Sequence, residues 1–141
     1  TGTFIVAQAA ARVMQKHGGG AIVNLASIAG LRGSKGRSAY GTSKGAVCTL
    51  TQVLANDLAR HGIRVNAVAP GPVDTPMVKA MHTDADRVLW RRYIPMRRYG
   101  APQEIAKAIA FLLDSEKAGY ITGEILAVDG GFRGAGVIAD D

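Results

Sequence analysis

The apolar positions of this chain fall into alternating helix-like and strand-like runs. In residues 3–16, Phe4, Ala7, Ala10, Ala11 and Met14 recur at helical spacing, and Gly18, Gly19 and Gly20 end that run. Residues 21–26 form a short apolar stretch, the pattern of a strand buried on both faces. A polar, glycine-bearing loop follows from Ser27 to Arg37. Ala46, Val47, Leu50, Val53, Leu54 and Leu58 then mark an amphipathic helix that stops at His61 and Gly62, where glycine suits a C-cap. Residues 63–69 predict a second buried strand, closed by Pro70, Gly71 and Pro72. Residues 74–99 read as a long polar connection containing Trp90 and Tyr93. Ile105, Ala108, Ile109, Leu112 and Leu113 predict a third helix, with Pro102 and Glu104 near its start. Residues 124–129 predict a third strand, closed by Gly130 and Gly131, and residues 132–141 read as an irregular Gly/Ala-rich tail.

Strands alternating with helices argue for parallel βαβ units, an α/β architecture. Three strands are few for a doubly wound sheet. The run at 21–26 is apolar on both faces and has no earlier strand to pair with, and an unpaired apolar edge is a liability. The expectation is a partial domain spanning residues 1–141, with a further N-terminal portion supplying the neighbouring strands. The first residues, Thr1, Gly2, Thr3 and Phe4, lack an initiator Met and a basic leader, and they read as a chain entered partway. A segment as long as 74–99 inside a compact unit is expected to be functional, as a lid or binding loop.

Composition narrows the class. The chain has 141 residues, 48% hydrophobic and 20% charged, with 18 glycines, which is the profile of a globular α/β protein. No apolar run approaches a membrane span of about 20 residues. The single cysteine, Cys48, forbids an internal disulfide and reads as a small buried hydrophobe. The net charge of +6 comes from scattered basic residues, apart from the pairs Arg91-Arg92 and Arg97-Arg98. No basic stripe interleaved with aromatics is present, so nucleic acid is not an expected partner. No metal site is expected.

The sharpest chemical signal is Tyr40-Gly41-Thr42-Ser43-Lys44, with Ser27 thirteen residues upstream. A tyrosine and a lysine four apart share one face of a helix. A free phenol ionises near pH 10, and bringing one to about 7 needs roughly 4 kcal/mol of preference for phenolate. One ammonium about 4 Å away supplies on the order of 4 kcal/mol at an effective dielectric near 20. The spacing suits an acid/base tyrosine, although Tyr and Lys four apart also occur on ordinary exposed helix faces.

The ordered set of motifs resembles the C-terminal part of a short-chain dehydrogenase/reductase. It comprises residues 22–27 (IVNLAS), Tyr40-x-x-x-Lys44, residues 64–75 (RVNAVAPGPVDT), residues 120–123 (YITG) and residues 128–131 (VDGG). The pieces run in order across nearly the whole chain. The sequence is similar to 3-oxoacyl-carrier-protein-reductase-like members and to sugar- or cyclic-alcohol-dehydrogenase-like members. The resemblance implies a Rossmann-type doubly wound sheet and hydride transfer between an alcohol or carbonyl carbon and a nicotinamide, NAD or NADP. It implies Tyr40 as acid/base, Lys44 as the charge that favours its phenolate and holds the nicotinamide ribose, and Ser27 as the hydroxyl that orients the substrate oxygen. It also implies that Pro70, Gly71, Val73 and Thr75 hold the nicotinamide carboxamide, and that 74–99 is the substrate loop, where Met77, Met81, Trp90 and Tyr93 either line an apolar pocket or cover the core. Thr75 can equally be an N-cap. Asn24, Asn66 and the turn at Asp129 read as structural.

The glycine-rich loop that would cradle the pyrophosphate is not in the sequence, since Gly18-Gly19-Gly20 follows a helix rather than a first strand. The expectation is therefore an incomplete enzyme, inactive in isolation. The alternative is an inactive fragment or oligomer-forming scaffold that retains the fold. The resemblance further implies a cytoplasmic homodimer or homotetramer acting on a small alcohol or carbonyl substrate, without a membrane or nucleic-acid partner.

Overall fold

The computed structural model describes residues 1–136. Helix α1 spans Gly2–Lys16 and leads into strand β1, Gly20–Leu25. A short 3-10 turn, Ile28–Gly30, follows Ser27. Helix α2 runs Ser38–Leu58 and tightens into a 3-10 turn at Ala59–His61. Gly62 closes it in the left-handed conformation at φ 69°, which a residue with a side chain adopts only at a cost. Strand β2 is Ile63–Pro70. Helices α3, Pro76–Met81, and α4, Asp84–Tyr93, come next. Helix α5, Pro102–Leu113, a single turn α6, Ser115–Ala118, and strand β3, Ile125–Val128, complete the order.

The three strands form one parallel sheet in the order β1-β2-β3. Register sets Ile22 beside Val65, Leu25 beside Val68, and Ala67 beside Ile125. Strand β2 is central, and its Val65, Ala67, Val68 and Ala69 are fully buried. One face packs on α1 and α2 through Ala11, Ala55, Leu58, Ile63 and Val65, with Met14, Ile22 and Leu54 around them. The opposite face packs on α5 through Val68, Ile105 and Leu112. Helices on both faces of a parallel sheet make the doubly wound, Rossmann-type arrangement that the motif order implied.

Polar side chains, the buried Asn24 and Asn66 among them, lock the layers together. Arg64 donates to the carbonyls of Leu112, at 2.8 Å, and of Ile121 and Leu113. Asn66 donates to the Ile121 carbonyl at 2.9 Å, and its oxygen accepts the Glu124 N–H at 3.0 Å. Asn24 donates to the Thr51 hydroxyl at 2.9 Å, tying β1 to α2. Asp129 accepts the N–H groups of Gly131 and Arg133, a side-chain-closed turn. The expected structural roles of Asn24, Asn66 and Asp129 therefore have defined partners.

Three readings need correction. The connection at 74–99 is largely helical. Its polar character hid two good starts: Thr75 caps α3 with Pro76 at the first helical position, and Thr83 with Asp86 forms a capping box for α4. The third strand is shorter than residues 124–129. Helix α6 escaped notice because it is a single turn, capped by Asp114. The tail reading extends to residues 137–141, outside the described residues; within the described part, Phe132 is buried.

Among the described residues, the second edge of β1 has no partner strand, and Leu25 on it is 53% exposed. No helix among them is long and apolar enough to cross a membrane.

Candidate active site

The C-terminal end of a parallel sheet is where this architecture places ligand groups, and Lys44, with Tyr40 beside it, reaches the end of β1 just ahead of Ser27. Ser27 lies two residues past the end of β1. It is buried, and its hydroxyl oxygen accepts the Ala29 N–H at 3.2 Å, opening the 3-10 turn. Tyr40 lies in the first turn of α2 with 44% of its surface exposed. Lys44, one turn on, donates from Nζ to the Leu25 carbonyl at 2.9 Å, and so bridges α2 to the end of β1. The same Nζ lies 5.9 Å from the centre of the Tyr40 ring, and the Arg37 guanidinium lies 5.8 Å from it. An ammonium has three N–H donors, so Lys44 keeps two beyond its bond to Leu25.

Glycines set this geometry. A Cβ on Gly30 would sit 2.6 Å from Gly45 N and 2.6 Å from Lys44 C. A Cβ on Gly41 would sit 2.8 Å from the Ala29 carbonyl oxygen. The turn behind Ser27 and the start of α2 thus touch backbone to backbone. Neither Gly30 nor Gly45 stood out in the sequence as part of a site. The signal available was a run of small residues flanking the Tyr/Lys pair, which composition alone does not distinguish from ordinary helix packing.

The second set of residues lies past β2. Pro70 ends the strand, and the Gly71 N–H donates to the Val128 carbonyl at 3.0 Å. A Cβ on Gly71 would meet Asp129 Cα at 2.8 Å, so packing against the end of β3 already requires glycine there. Val73 pairs with Gly100 in an isolated bridge. The Thr75 hydroxyl accepts the Val78 N–H at 3.2 Å, which gives it the N-cap role and still leaves its own O–H to donate.

Segment 74–99 divides the four residues singled out in it. Trp90 packs against the buried cluster of Ile28, Ile94 and Phe132 and so covers core, whereas Met77, Met81 and Tyr93 are exposed. Ion pairs secure both ends of the segment. Asp74 meets Arg87 at 2.8 Å and Lys79 at 3.6 Å, and the hydrogen bond from Arg87 is the main reason its carboxyl is held below the usual range. Arg98 grips both oxygens of Glu104 at 2.7 Å, and Glu104 also accepts the Ala101 N–H. Those bonds, the one from Arg98 first, hold the Glu104 carboxyl down to about 2. A small cavity of about 110 Å³ beyond β2 and β3 is lined by Pro72, Arg98, Glu104 and Asp129 among others, and by none of Ser27, Tyr40 or Lys44.

Cys48 is buried in a cluster with Ala26, Ala67, Ala69 and Ile125, and burial pushes its thiol up from the ordinary range. Among the described residues, no group of three or more His, Cys, Asp or Glu side chains could hold a metal ion.

Residues 1–133 match a family described as enoyl-(acyl carrier protein) reductase. The 3-oxoacyl-(acyl-carrier-protein) reductase of Homo sapiens is 44% identical over 132 residues, covering 94% of this chain and 53% of that protein. A gluconate 5-dehydrogenase from Burkholderia cenocepacia, solved in complex with NADP and tartrate, superposes with a TM-score of 0.89 at 35% identity, over 95% of this chain and 52% of that one. A 7α-hydroxysteroid dehydrogenase solved with NADH and 7-oxo glycochenodeoxycholic acid gives 0.87 at 36% identity, over 92% and 50%. The chain spans about half the length of the relatives it matches. Motif order, sheet topology and this similarity, which runs through almost every element described, together show that the chain belongs to the short-chain dehydrogenase/reductase family and is 3-oxoacyl-carrier-protein-reductase-like within it.

Proposed function

We propose that these residues form the catalytic C-terminal part of a nicotinamide-dependent oxidoreductase acting on an alcohol or carbonyl compound. The observation that carries this is the position of Lys44. Its ammonium is fixed to the end of β1 by Leu25, beside the exposed Tyr40 ring, with two N–H donors left over. A merely solvated lysine has no reason to hold that place.

The residues present fit the nicotinamide end of a dinucleotide. Lys44 and Tyr40 offer donors for a ribose. Pro70, Gly71, Val73 and Thr75 lie at the end of the neighbouring strand, where Thr75 keeps a free O–H for a carboxamide. Such a cofactor, NAD or NADP, would supply or accept the hydride; relatives solved with NADH and with NADP support the class and leave the choice open. Tyr40 Oη holds the proton that reaches the substrate oxygen during reduction and takes it back during oxidation. The Ser27 hydroxyl donates to that oxygen and orients it. The Lys44 charge favours the deprotonated partner in this exchange.

In this reading, residues 1–141 are part of a single larger Rossmann-type domain, and 74–99 is its substrate segment. No glycine-rich pyrophosphate loop accompanies the site, so the isolated chain turns over little or no substrate. The assembly is a cytoplasmic homodimer or homotetramer. A second reading, an oligomer-forming scaffold, draws on Phe4, Ile5 and Val13 of α1 and Val53 of α2, which are large apolar side chains left about half exposed.

A chimaera separates the two. The first half of the human relative is fused ahead of Thr1, and NADH and NADPH oxidation is followed with a 3-oxoacyl thioester. The enzyme reading expects turnover that Tyr40→Phe lowers about a thousandfold, the scale of a lost general acid/base. A folded chimaera whose turnover survives Tyr40→Phe would refute it.

A further inference from the structure

One unbroken set of ring contacts crosses the molecule from the end of β2 to the turn behind Ser27. It begins at Asp74, which holds the Arg87 guanidinium. That guanidinium lies 4.7 Å from the centre of the buried Tyr99 ring. The Tyr99 hydroxyl bonds His82 Nδ1 at 2.9 Å. The His82 ring stacks on Trp90, with centroids 6.0 Å apart and planes 11° from parallel. Trp90 leans on Phe132 at 5.6 Å. Phe132 lies under the Arg32 guanidinium, 4.9 Å from its ring centre, and Arg32 also donates to the Phe132 carbonyl at 2.7 Å. Arg32 in turn donates its backbone N–H to Ile28, the residue after Ser27, and Ile28 packs against Phe132 and Ile94.

We propose that this stack is a latch, with His82 and Trp90 as positioning residues that hold the α3–α4 segment seated against the Ser27 turn. Most large apolar side chains of α3 and α4 (Met77, Met81, Val88, Leu89 and Tyr93) are exposed, so burial does little to seat these helices. Val78 and Trp90 are the exceptions, both partly buried, and Trp90 packs on the buried cluster of Ile28, Ile94 and Phe132. His82 sits between the helices and fixes both ends of the arrangement, stacking on Trp90 and bonding Tyr99. The stack is directional: rings and guanidinium groups prefer particular offsets, so it specifies one seated position rather than general adhesion. The latch is separate from the glycine contacts that hold Ser27 against α2. Opening it should free the substrate segment while leaving the Ser27 turn in place. That kinetic consequence rests on the proposed function; the latch itself does not.

Trp90 is the only tryptophan in the chain, so its fluorescence reports the latch without any turnover. In the 141-residue chain, His82→Ala should shift Trp90 emission to the red. It should also raise acrylamide quenching about twofold and speed tryptic cleavage after Arg91 and Arg92 about tenfold, with far-UV circular dichroism kept. Tyr99→Phe, which removes a single hydroxyl, should move the same readouts in the same direction by less, and it decides the matter if His82→Ala fails to fold. In the chimaera, His82→Ala should raise KM for the carbonyl substrate about fivefold with kcat within twofold. Unchanged fluorescence and cleavage in the folded variants would overturn the latch. Altered fluorescence with unchanged KM, or a fall in kcat alone, would overturn the positioning role. An inactive parent chimaera would count against the proposed function and leave the fluorescence and cleavage results to judge the latch.

Discussion

The two sides of the site are held by different means. On the Ser27–Lys44 side, the contacts are backbone to backbone: Gly30 against Gly45 and Lys44, and Gly41 against Ala29. Lys44 adds a bond to a strand carbonyl. On the 74–99 side, the contacts are side chain to side chain: Asp74 with Arg87 and Lys79, Arg98 with Glu104, and rings between them. Backbone contacts without side chains leave no rotamers to adjust, and close-packed interiors transmit any added volume as strain. Exposed ion pairs are individually weak and tolerate rearrangement. The proposed proton-transfer residues therefore sit on the rigid side, and the proposed substrate segment on the adjustable one.

The strongest way to break this contrast is to add one carbon to the rigid side. Gly30→Ala drives a Cβ into backbone atoms of α2 at 2.6 Å, and no flexible side chain can give way. We expect a loss of about 2 kcal/mol and a melting temperature roughly 8 °C lower. Gly33→Ala is the control, because a Cβ there meets nothing within 4 Å. Equal melting temperatures for the two variants would show that the turn is not held by close approach.

The rigid side was also the more legible one. Apolar runs marked all three strands, because strands buried on both faces carry near-continuous hydrophobics. The Tyr40/Lys44 spacing fixed a shared helix face, and the structure puts both residues there. What one sequence could not show was the contact between Gly30 and Gly45, since nothing in a glycine states what approaches it. The adjustable side was harder to read. Its helices are short and their exposed faces mix Met, Val, Leu and Arg, so no apolar period stands out, although Thr83 and Asp86 carried a capping-box signal. The ring stack joins residues 32, 74, 82, 87, 90, 99 and 132, which no local pattern connects. Thr75 looked like an N-cap or a ligand contact, and the structure supplies the cap.

That cap gives the next, smaller effect. Thr75→Ala removes the acceptor for the Val78 N–H and should cost about 1 kcal/mol, or roughly 4 °C. Thr75→Ser should restore it. The loss belongs to the adjustable side, so Trp90 fluorescence should respond to denaturant before the far-UV signal does. A single coincident transition in Thr75→Ala would mean that the two sides unfold as one unit.

Acid should separate the two sides most gently. Glu104 is held at about 2 against an ordinary value of 4.5, chiefly by its hydrogen bonds from Arg98, and Asp74 and Asp86 are lowered from 3.8 by Arg87 and Thr83 respectively. A carboxyl with a depressed folded value favours folding when ionised. Its contribution is fully present above the unfolded value and is lost as pH falls toward the folded one. For Glu104 that window runs from about 4.5 down to about 2. All three groups belong to 74–99 or its anchor on α5, whereas residues 26–45 contain no Asp or Glu. Lowering pH through this window should therefore unseat Trp90 while α2 keeps its helical signal. Glu104→Gln should give a stability curve that is shallower below pH 4.5, because the proton-linked part is gone. Parallel curves for the two proteins would show that the Arg98–Glu104 pair contributes nothing that acid can remove, and the adjustable side would then owe its seating to the Asp74 pairs and the ring stack.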